Sequence, residues 1–151
     1  MKKKAKKRRA SPKEDTQSSS RELRTVAFTF KGEPLTKSNN YFFKGHIFVP
    51  TKIRKYEKSL ENYAKSVMQK NYPNYGLLDR PIHMTIHYYL GTKRRKDIVN
   101  LPKTTTDALN EVVYEDDSQI AECHIFRHLD RENPRLEITI SEMDDISWQA
   151  G

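Results

Sequence analysis

Residues 93–120 read KRRKDIVNLPKTTTDALNEVVYEDDSQI. Pro102 has no N–H to donate, and its ring clashes with a preceding helical turn, so it fits only the first turn of a helix. The stretch therefore predicts a helix that starts at Asn100 or Leu101 and runs to about Val113, with Asn100 as its cap. Leu101, Thr105, Ala108, Leu109 and Val112 recur at helical spacing and form its buried stripe. Asn100, Lys103, Asp107 and Glu111 fall on the wet side. Before the helix stand four cations, Lys93, Arg94, Arg95 and Lys96, and then Asp97. After it stands the acidic pair Asp116 and Asp117.

Working outward, IHMTIHYYLG places Ile82, Met84, Ile86 and Tyr88 on one side of a strand and His83, Thr85 and His87 on the other. QIAECHIFRHL and RLEITISEM read as two further strands, joined by RENP as a hairpin turn. Upstream, Thr51 is the expected cap of a long amphipathic helix. Its buried face is Ile53, Tyr56, Leu60, Tyr63, Ala64 and Val67, and it ends near Tyr72 and Pro73. RTVAFTFKG alternates through Val26, Phe28 and Phe30 as a half-buried strand. EPLTKSNNYFF reads as a loop, and HIFVP as a short strand. The expected fold is α+β, a small mixed β-sheet with two main helices packed on one face, over residues 23–144. An exposed sheet edge in such a fold can pair two copies. Residues 145–151 are a short tail.

The chain has 151 residues and a formal net charge of +8. The surplus is local. The first twenty residues hold eight Lys or Arg against two Asp or Glu, and the remainder holds 20 against 18. Residues 1–22 lack the apolar groups that offset chain entropy, so a disordered basic tail is expected. It reads equally as an arm for nucleic-acid phosphates and as a solubilising or expression-derived extension. Cys123 is the only cysteine, which excludes a disulfide within the chain and a cysteine zinc site. No apolar run reaches membrane-spanning length, and the basic start lacks the apolar stretch of a secretory signal. A reducing cytoplasmic setting is expected, with no membrane partner and no small-molecule cofactor.

The chemistry concentrates in residues 93–120. Mg²⁺ takes oxygen ligands, commonly one or two carboxylates plus substrate phosphate. Asp97 and Asp117 are expected to converge at the sheet's end, if the following strand lies beside the one ending at Leu90. A metal there polarises a phosphodiester and acidifies an attacking water. Lys103 would steady the charge developing on phosphate. Lys93, Arg94, Arg95 and Lys96 would grip flanking phosphates, which positions nucleic acid without reading its sequence. Each feature has a plainer reading. Asp116 and Asp117 also suit an ordinary turn, and Lys103 with Asp107 a surface pair worth under about 0.5 kcal/mol. His83 and His87 share a strand face but lack a third nitrogen or sulfur ligand, so they read as polar-face side chains rather than a zinc site. Tyr41, Phe42 and Phe43 suit core or dimer packing, or contact with unstacked bases.

Taken in order, these residues resemble the signature of the RusA family of Holliday junction resolvases, small bacterial and prophage endonucleases. That family carries D-x-D-N-L-x-K leading into a helix with D-A-L, followed by D-D-x-Q-[VI]. Here stand Asp97-Ile98-Val99-Asn100-Leu101-Pro102-Lys103, then Asp107-Ala108-Leu109, then Asp116-Asp117-Ser118-Gln119-Ile120. Ser38-Asn39-Asn40 resembles the family's S-N-N loop, and Arg135 to Ile140 its closing R-L-E-x-T-I strand. The resemblance covers about residues 24–143. It implies a homodimer that binds branched DNA, the four-way junction, and nicks two opposed strands with Mg²⁺ or Mn²⁺, in a bacterial or phage-infected cytoplasm. By position it implies Asp97 and Asp117 as catalytic metal-binding acids, Lys103 as the essential lysine and Asp116 as a neighbouring acid. Asn39, Asn40 and Asn100 join the four cations as DNA contacts.

One position departs from that pattern. The second acid of D-x-D-N is Val99 here, and valine cannot ligate a metal. Three outcomes follow. Asp107 or Asp116 substitutes, with Asp107 sharing a helix side with Asn100. The site works with fewer acids. Or the chain is a non-catalytic binder of DNA junctions or RNA. A third class of reading, a globular interaction module with an acidic surface loop, predicts no preference for junctions over linear duplex.

Overall fold

The structure is a computed structural model, and it describes residues 22–36, 42–43, 45–47, 49–92 and 100–144. The alternation read in residues 82–90 is complete. Every second side chain of β4 (Ile82–Leu90) is buried, from Ile82 through Leu90, and those between are half-buried. β6 (Arg135–Glu142) repeats the pattern with Leu136, Ile138, Ile140 and Glu142. The two strands pair antiparallel with Met84 opposite Ile140 and Ile86 opposite Ile138, so their apolar sets share one face.

Two helices cover that face. α1 (Thr51–Asn71) buries Ile53, Leu60, Ala64 and Val67. α2 (Leu101–Leu109) buries Leu101, Thr104, Thr105, Ala108 and Leu109. Their residues join one core with the inner faces of β4, β6 and β1 (Thr25–Lys31). Tyr88 on β4 and Thr105 on α2 share a hydrogen bond between hydroxyls at 2.8 Å inside it. The fold is thus the expected α+β arrangement, a four-stranded mixed sheet with two helices on one face. Among the described residues no helix is long and apolar enough to cross a membrane.

The strand order is β1-β6-β4-β5, with β5 spanning Ile120–Leu129. This corrects the expected hairpin. β5 and β6 are not neighbours, because β4 lies between them. β5 runs parallel to β4, and α2 is the crossover that a parallel pair requires. Residues 130–134 then carry the chain past the carboxyl end of β4, where Asp130 N–H donates to the Leu90 carbonyl at 2.7 Å.

Local expectations are also adjusted. α2 stops at Leu109 rather than near Val113. Asn110 is extended, Glu111 takes a positive φ of 63°, and its N–H donates to the Tyr114 carbonyl at 2.8 Å. Asn100 makes no side-chain cap, although its carbonyl receives Lys103 N–H at 3.2 Å. Pro50, not Thr51, holds the cap position of α1, and its carbonyl takes the N–H groups of Ile53 and Arg54. Tyr63 is 40% exposed, not buried. The loop read through Phe43 contains β2 (Phe42–Phe43), paired with β3 (His46–Ile47).

The sheet face away from the helices carries a layer of rings. His87 Nδ1 and His128 Nε2 share a hydrogen bond at 2.9 Å. Phe126 stacks on His87 and Tyr89 on His128, with centroids 4.6 and 4.4 Å apart. Arg135 lies over Tyr89. His87 is therefore part of a polar-face stack. Among the described residues no group of three or more His, Cys, Asp or Glu side chains is arranged to hold a metal.

Candidate active site

Parallel pairing decides where the acidic residues lie. Ile82, the first residue of β4, is partnered with Ile120, the first of β5. Asp116 and Asp117 immediately precede β5, so they sit at the entry end of β4. Leu90 lies at its exit end, about 26 Å away at ~3.3 Å per residue. β5 does lie beside β4, as the expected convergence required, but in the parallel sense its start and the exit of β4 are at opposite ends. Asp97 itself, with Lys93, Arg94, Arg95, Lys96 and Val99, is outside the described residues, as are Asn39, Asn40 and Tyr41.

At the entry end the acids sit on a short, fully specified turn. Asp117–Gln119 forms one 3₁₀ turn, capped by Asp116. The Asp116 carboxylate accepts Ser118 N–H at 3.0 Å, and the Gln119 side-chain oxygen accepts Asp116 N–H at 2.8 Å. This reciprocal pair is a capping box. The hydrogen bonds from Ser118 hold the Asp116 carboxyl below the usual carboxylate range. The Asp117 side chain is exposed and makes no hydrogen bond with the described residues.

Tyr114 ties this turn to α2. It is buried, and its hydroxyl donates to the Thr106 carbonyl at 2.9 Å. Burial raises its phenol far above the ordinary value, and the negative charges of Asp117, Asp107 and Asp116 raise it further. Three of the carboxylates singled out in the sequence therefore lie near enough to act on the Tyr114 phenol electrostatically. Asp107 is half-buried on α2, and Lys103 is exposed one turn earlier on the same helix. The carboxylates of Asp107, Asp116 and Asp117 are hard oxygen donors, the type that Mg²⁺ or Mn²⁺ takes rather than a thiolate- or imidazole-seeking metal.

The exit end holds described residues that flank the other candidates in sequence. Thr36 Oγ1 donates to the Asn100 carbonyl at 2.7 Å, joining the segments that lead to Asn39 and Asn40 and to the basic cluster. Gly91 N–H donates to the Glu33 carboxylate at 2.8 Å. A Cβ at Gly91 would lie 2.7 Å from that oxygen and 2.8 Å from Pro134 Cγ, so a larger residue there would displace the Glu33 carboxylate and crowd the Pro134 ring.

Two contributors were not singled out in the sequence. Gln119 Nε2 donates to the carbonyls of Leu78 at 3.1 Å and Arg80 at 2.8 Å, which binds the acidic turn to the connector before β4. Its signal was the Gln of Asp-Asp-x-Gln, which marks position but not role. Glu142 is the other. Its carboxylate has no solvent exposure and accepts from Arg24 Nη2 at 2.9 Å, from Arg24 N–H at 3.0 Å and from Asp79 N–H at 3.3 Å. Arg24 also donates to the Tyr75 and Leu77 carbonyls, so this network pins the connector beneath the acidic turn.

The family profile described as Endodeoxyribonuclease RusA matches residues 31–141. Crossover junction endodeoxyribonuclease RusA of Escherichia coli (strain K12) is 28% identical over 114 residues, covering 73% of this chain and 91% of the relative. The protein of that name from Shigella sonnei (strain Ss046) is 27% identical over the same lengths. So is that of Enterobacteria phage 82. The match runs from the last residue of β1 through nearly all of β6, across both ends of β4 and both acidic segments, and the chain belongs to the RusA endodeoxyribonuclease family.

Proposed function

We propose that this chain is a Mg²⁺-dependent endonuclease that resolves four-way DNA junctions by paired nicks, acting as a homodimer in a bacterial or phage-infected cytoplasm. The observation that carries the reading is Asp117, an exposed carboxylate on a turn closed by a capping box and anchored by the Gln119 amide, in a chain of this family. Asp97 and Asp117 hold the metal, with Mn²⁺ as a substitute for Mg²⁺. Asp107 stands on the Asn100 side of α2, where it can serve in place of the acid missing at Val99. Asp116 is a neighbouring acid whose carboxylate already caps the turn. Bound metal supplies polarisation of the phosphodiester and a more acidic water.

The chain's own residues do the rest. Lys103, exposed on the first turn of α2, meets the negative charge that grows on phosphate as the bond breaks. Lys93, Arg94, Arg95, Lys96, Asn39, Asn40 and Asn100 hold flanking backbone, which sets register without reading sequence.

The topology supports a dimer on its own terms. β5 is an edge strand whose helix-side positions are poorly covered: Cys123 and Arg127 are exposed and Leu129 is 50% exposed. Phe126 on its other face is 46% exposed. A twofold pairing along this edge runs the two β5 strands antiparallel. It brings the Asp117 end of each copy to the Leu129 end of the other, where the segment carrying Asp97 begins. Two such sites, related by a twofold axis, match the two opposed strands of a junction.

Val99 favours a second reading, a protein that binds DNA junctions or RNA without cutting. One experiment separates the two. Purified protein is mixed with an end-labelled four-way junction and with linear duplex of the same sequence. The proposal expects paired nicks in the junction only, on addition of Mg²⁺. A salt-sensitive gel shift with no nicks in Mg²⁺ or Mn²⁺ would establish the binder instead.

A further inference from the structure

We propose that Gln119 is a positioning residue that holds the Asp117 carboxylate where a metal can use it, an inference that rests on the function proposed above. Three hydrogen bonds of its side-chain amide tie this turn to itself and to the chain beside it. The oxygen accepts Asp116 N–H at 2.8 Å, closing the capping box from one side. The nitrogen donates to Leu78 O at 3.1 Å and Arg80 O at 2.8 Å. An amide can satisfy one acceptor and two donor roles at once, and a carboxylate or an aliphatic side chain of the same length cannot.

The carbonyls that Gln119 grips belong to a segment fixed by other means. Leu78 N–H donates to Val113 O at 2.8 Å, and Glu115 N–H to Leu78 O at 3.3 Å. Leu78 is fully buried, and Glu142 takes Asp79 N–H at 3.3 Å. The 3₁₀ turn has three residues and buries none of them. Packing therefore does not hold it, and polar contacts do. Asp116 fixes the turn internally, whereas Gln119 alone of its residues anchors it by side-chain hydrogen bonds to a rigid neighbour. Asp117 lies between these two fixed points. Without the Gln119 amide, the turn keeps its local cap and loses its anchor, so Asp117 samples more directions and holds a cation less tightly.

The test uses the full chain with Gln119→Met, which keeps length and volume, and Gln119→Glu, which keeps the acceptor and loses both donations. Two readouts need no activity. One is amide hydrogen exchange at Asp116 and Ser118 without metal; the other is Mn²⁺ binding followed by the resonance signal of free Mn²⁺. The expected result for both variants is faster exchange at those amides, with exchange on β4 and β6 unchanged, and at least tenfold weaker Mn²⁺ binding. In nicking assays the metal concentration for half-maximal rate rises by a similar factor, and saturating metal restores the rate to within about threefold of the parent. Unchanged exchange, or faster exchange with unchanged Mn²⁺ binding, overturns the inference. So does a rate loss that no metal concentration restores. Faster exchange across β4 and β6 would assign Gln119 to fold stability and overturn it as well. If the parent protein binds Mn²⁺ but nicks no junction, the proposed function fails while exchange and binding still decide the role of Gln119. If the parent binds no Mn²⁺, both fail.

Discussion

Ile82 and Ile120 are cross-strand partners on the first rung of the parallel β4–β5 ladder. That one pairing places the acidic turn and the exit of β4 at opposite ends of the sheet. A single chain then offers Asp117 at one end and the approach to Asp97 at the other. The twofold pairing along β5 proposed above would bring these two ends together.

A mixed-dimer experiment reads this arrangement. Asp97→Asn and Asp117→Asn proteins are each expected to be inactive alone. Unfolded together and refolded, they form mixed dimers in which one site carries both substitutions and the other carries neither. Nicking is expected to return at about a quarter of the parental single-nick rate, from one intact site in half of the dimers. A mixture as inactive as its parents would place both acids within one chain's site.

Glu142 makes stability depend on acid. Burial alone would raise its carboxyl, but hydrogen bonds from the Arg24 side chain and N–H, the attraction of Arg24 and the Asp79 N–H outweigh it and bring it down to about 2. A depressed carboxyl stabilises the fold above its ordinary value near 4.5 and loses that contribution as pH falls from there toward about 2. Glu142→Gln should lower unfolding free energy at neutral pH by about 1–3 kcal/mol, the range for hydrogen bonds to a charged group. It should also flatten the fall in stability below about pH 4.5. Urea unfolding across that range checks it, and parallel curves for the two proteins would refute it.

The two adjacent acids should separate by substitution. Asp116→Asn keeps an oxygen for Ser118 N–H, since Asn caps as well as Asp, and nicking should stay within about tenfold of the parent. Asp116→Ala removes the acceptor and should destabilise the turn by about 1 kcal/mol, seen as faster local amide exchange. Equal loss of nicking in both variants would make Asp116 a ligand instead of a cap.

The sequence was legible where one periodicity met one environment. Residues 82–90 alternate because β4 is central and covered on its helix side, and α1 keeps its stripe because it lies on that same core. Legibility failed where the pattern is silent about neighbours. Strands β5 and β6 look like a hairpin locally, and only the insertion of β4 between them says otherwise. Val112 and Val113 extend the apolar period of α2 past its end, which is set by the backbone at Asn110 and Glu111. At the candidate site, residue types drew attention to the acids of the turn, but the hydrogen bonds of Gln119 and the ion pair of Arg24 with Glu142 join positions far apart in sequence. Local spacing carries no trace of them.

The most direct test of the account is Asp117→Asn on an end-labelled four-way junction. Asp117 is exposed, so the substitution is expected to leave folding and the junction gel shift intact. Mg²⁺-dependent nicking should fall by at least about a hundredfold. Nicking at the parental rate by the folded variant would contradict the central claim that this carboxylate holds the metal.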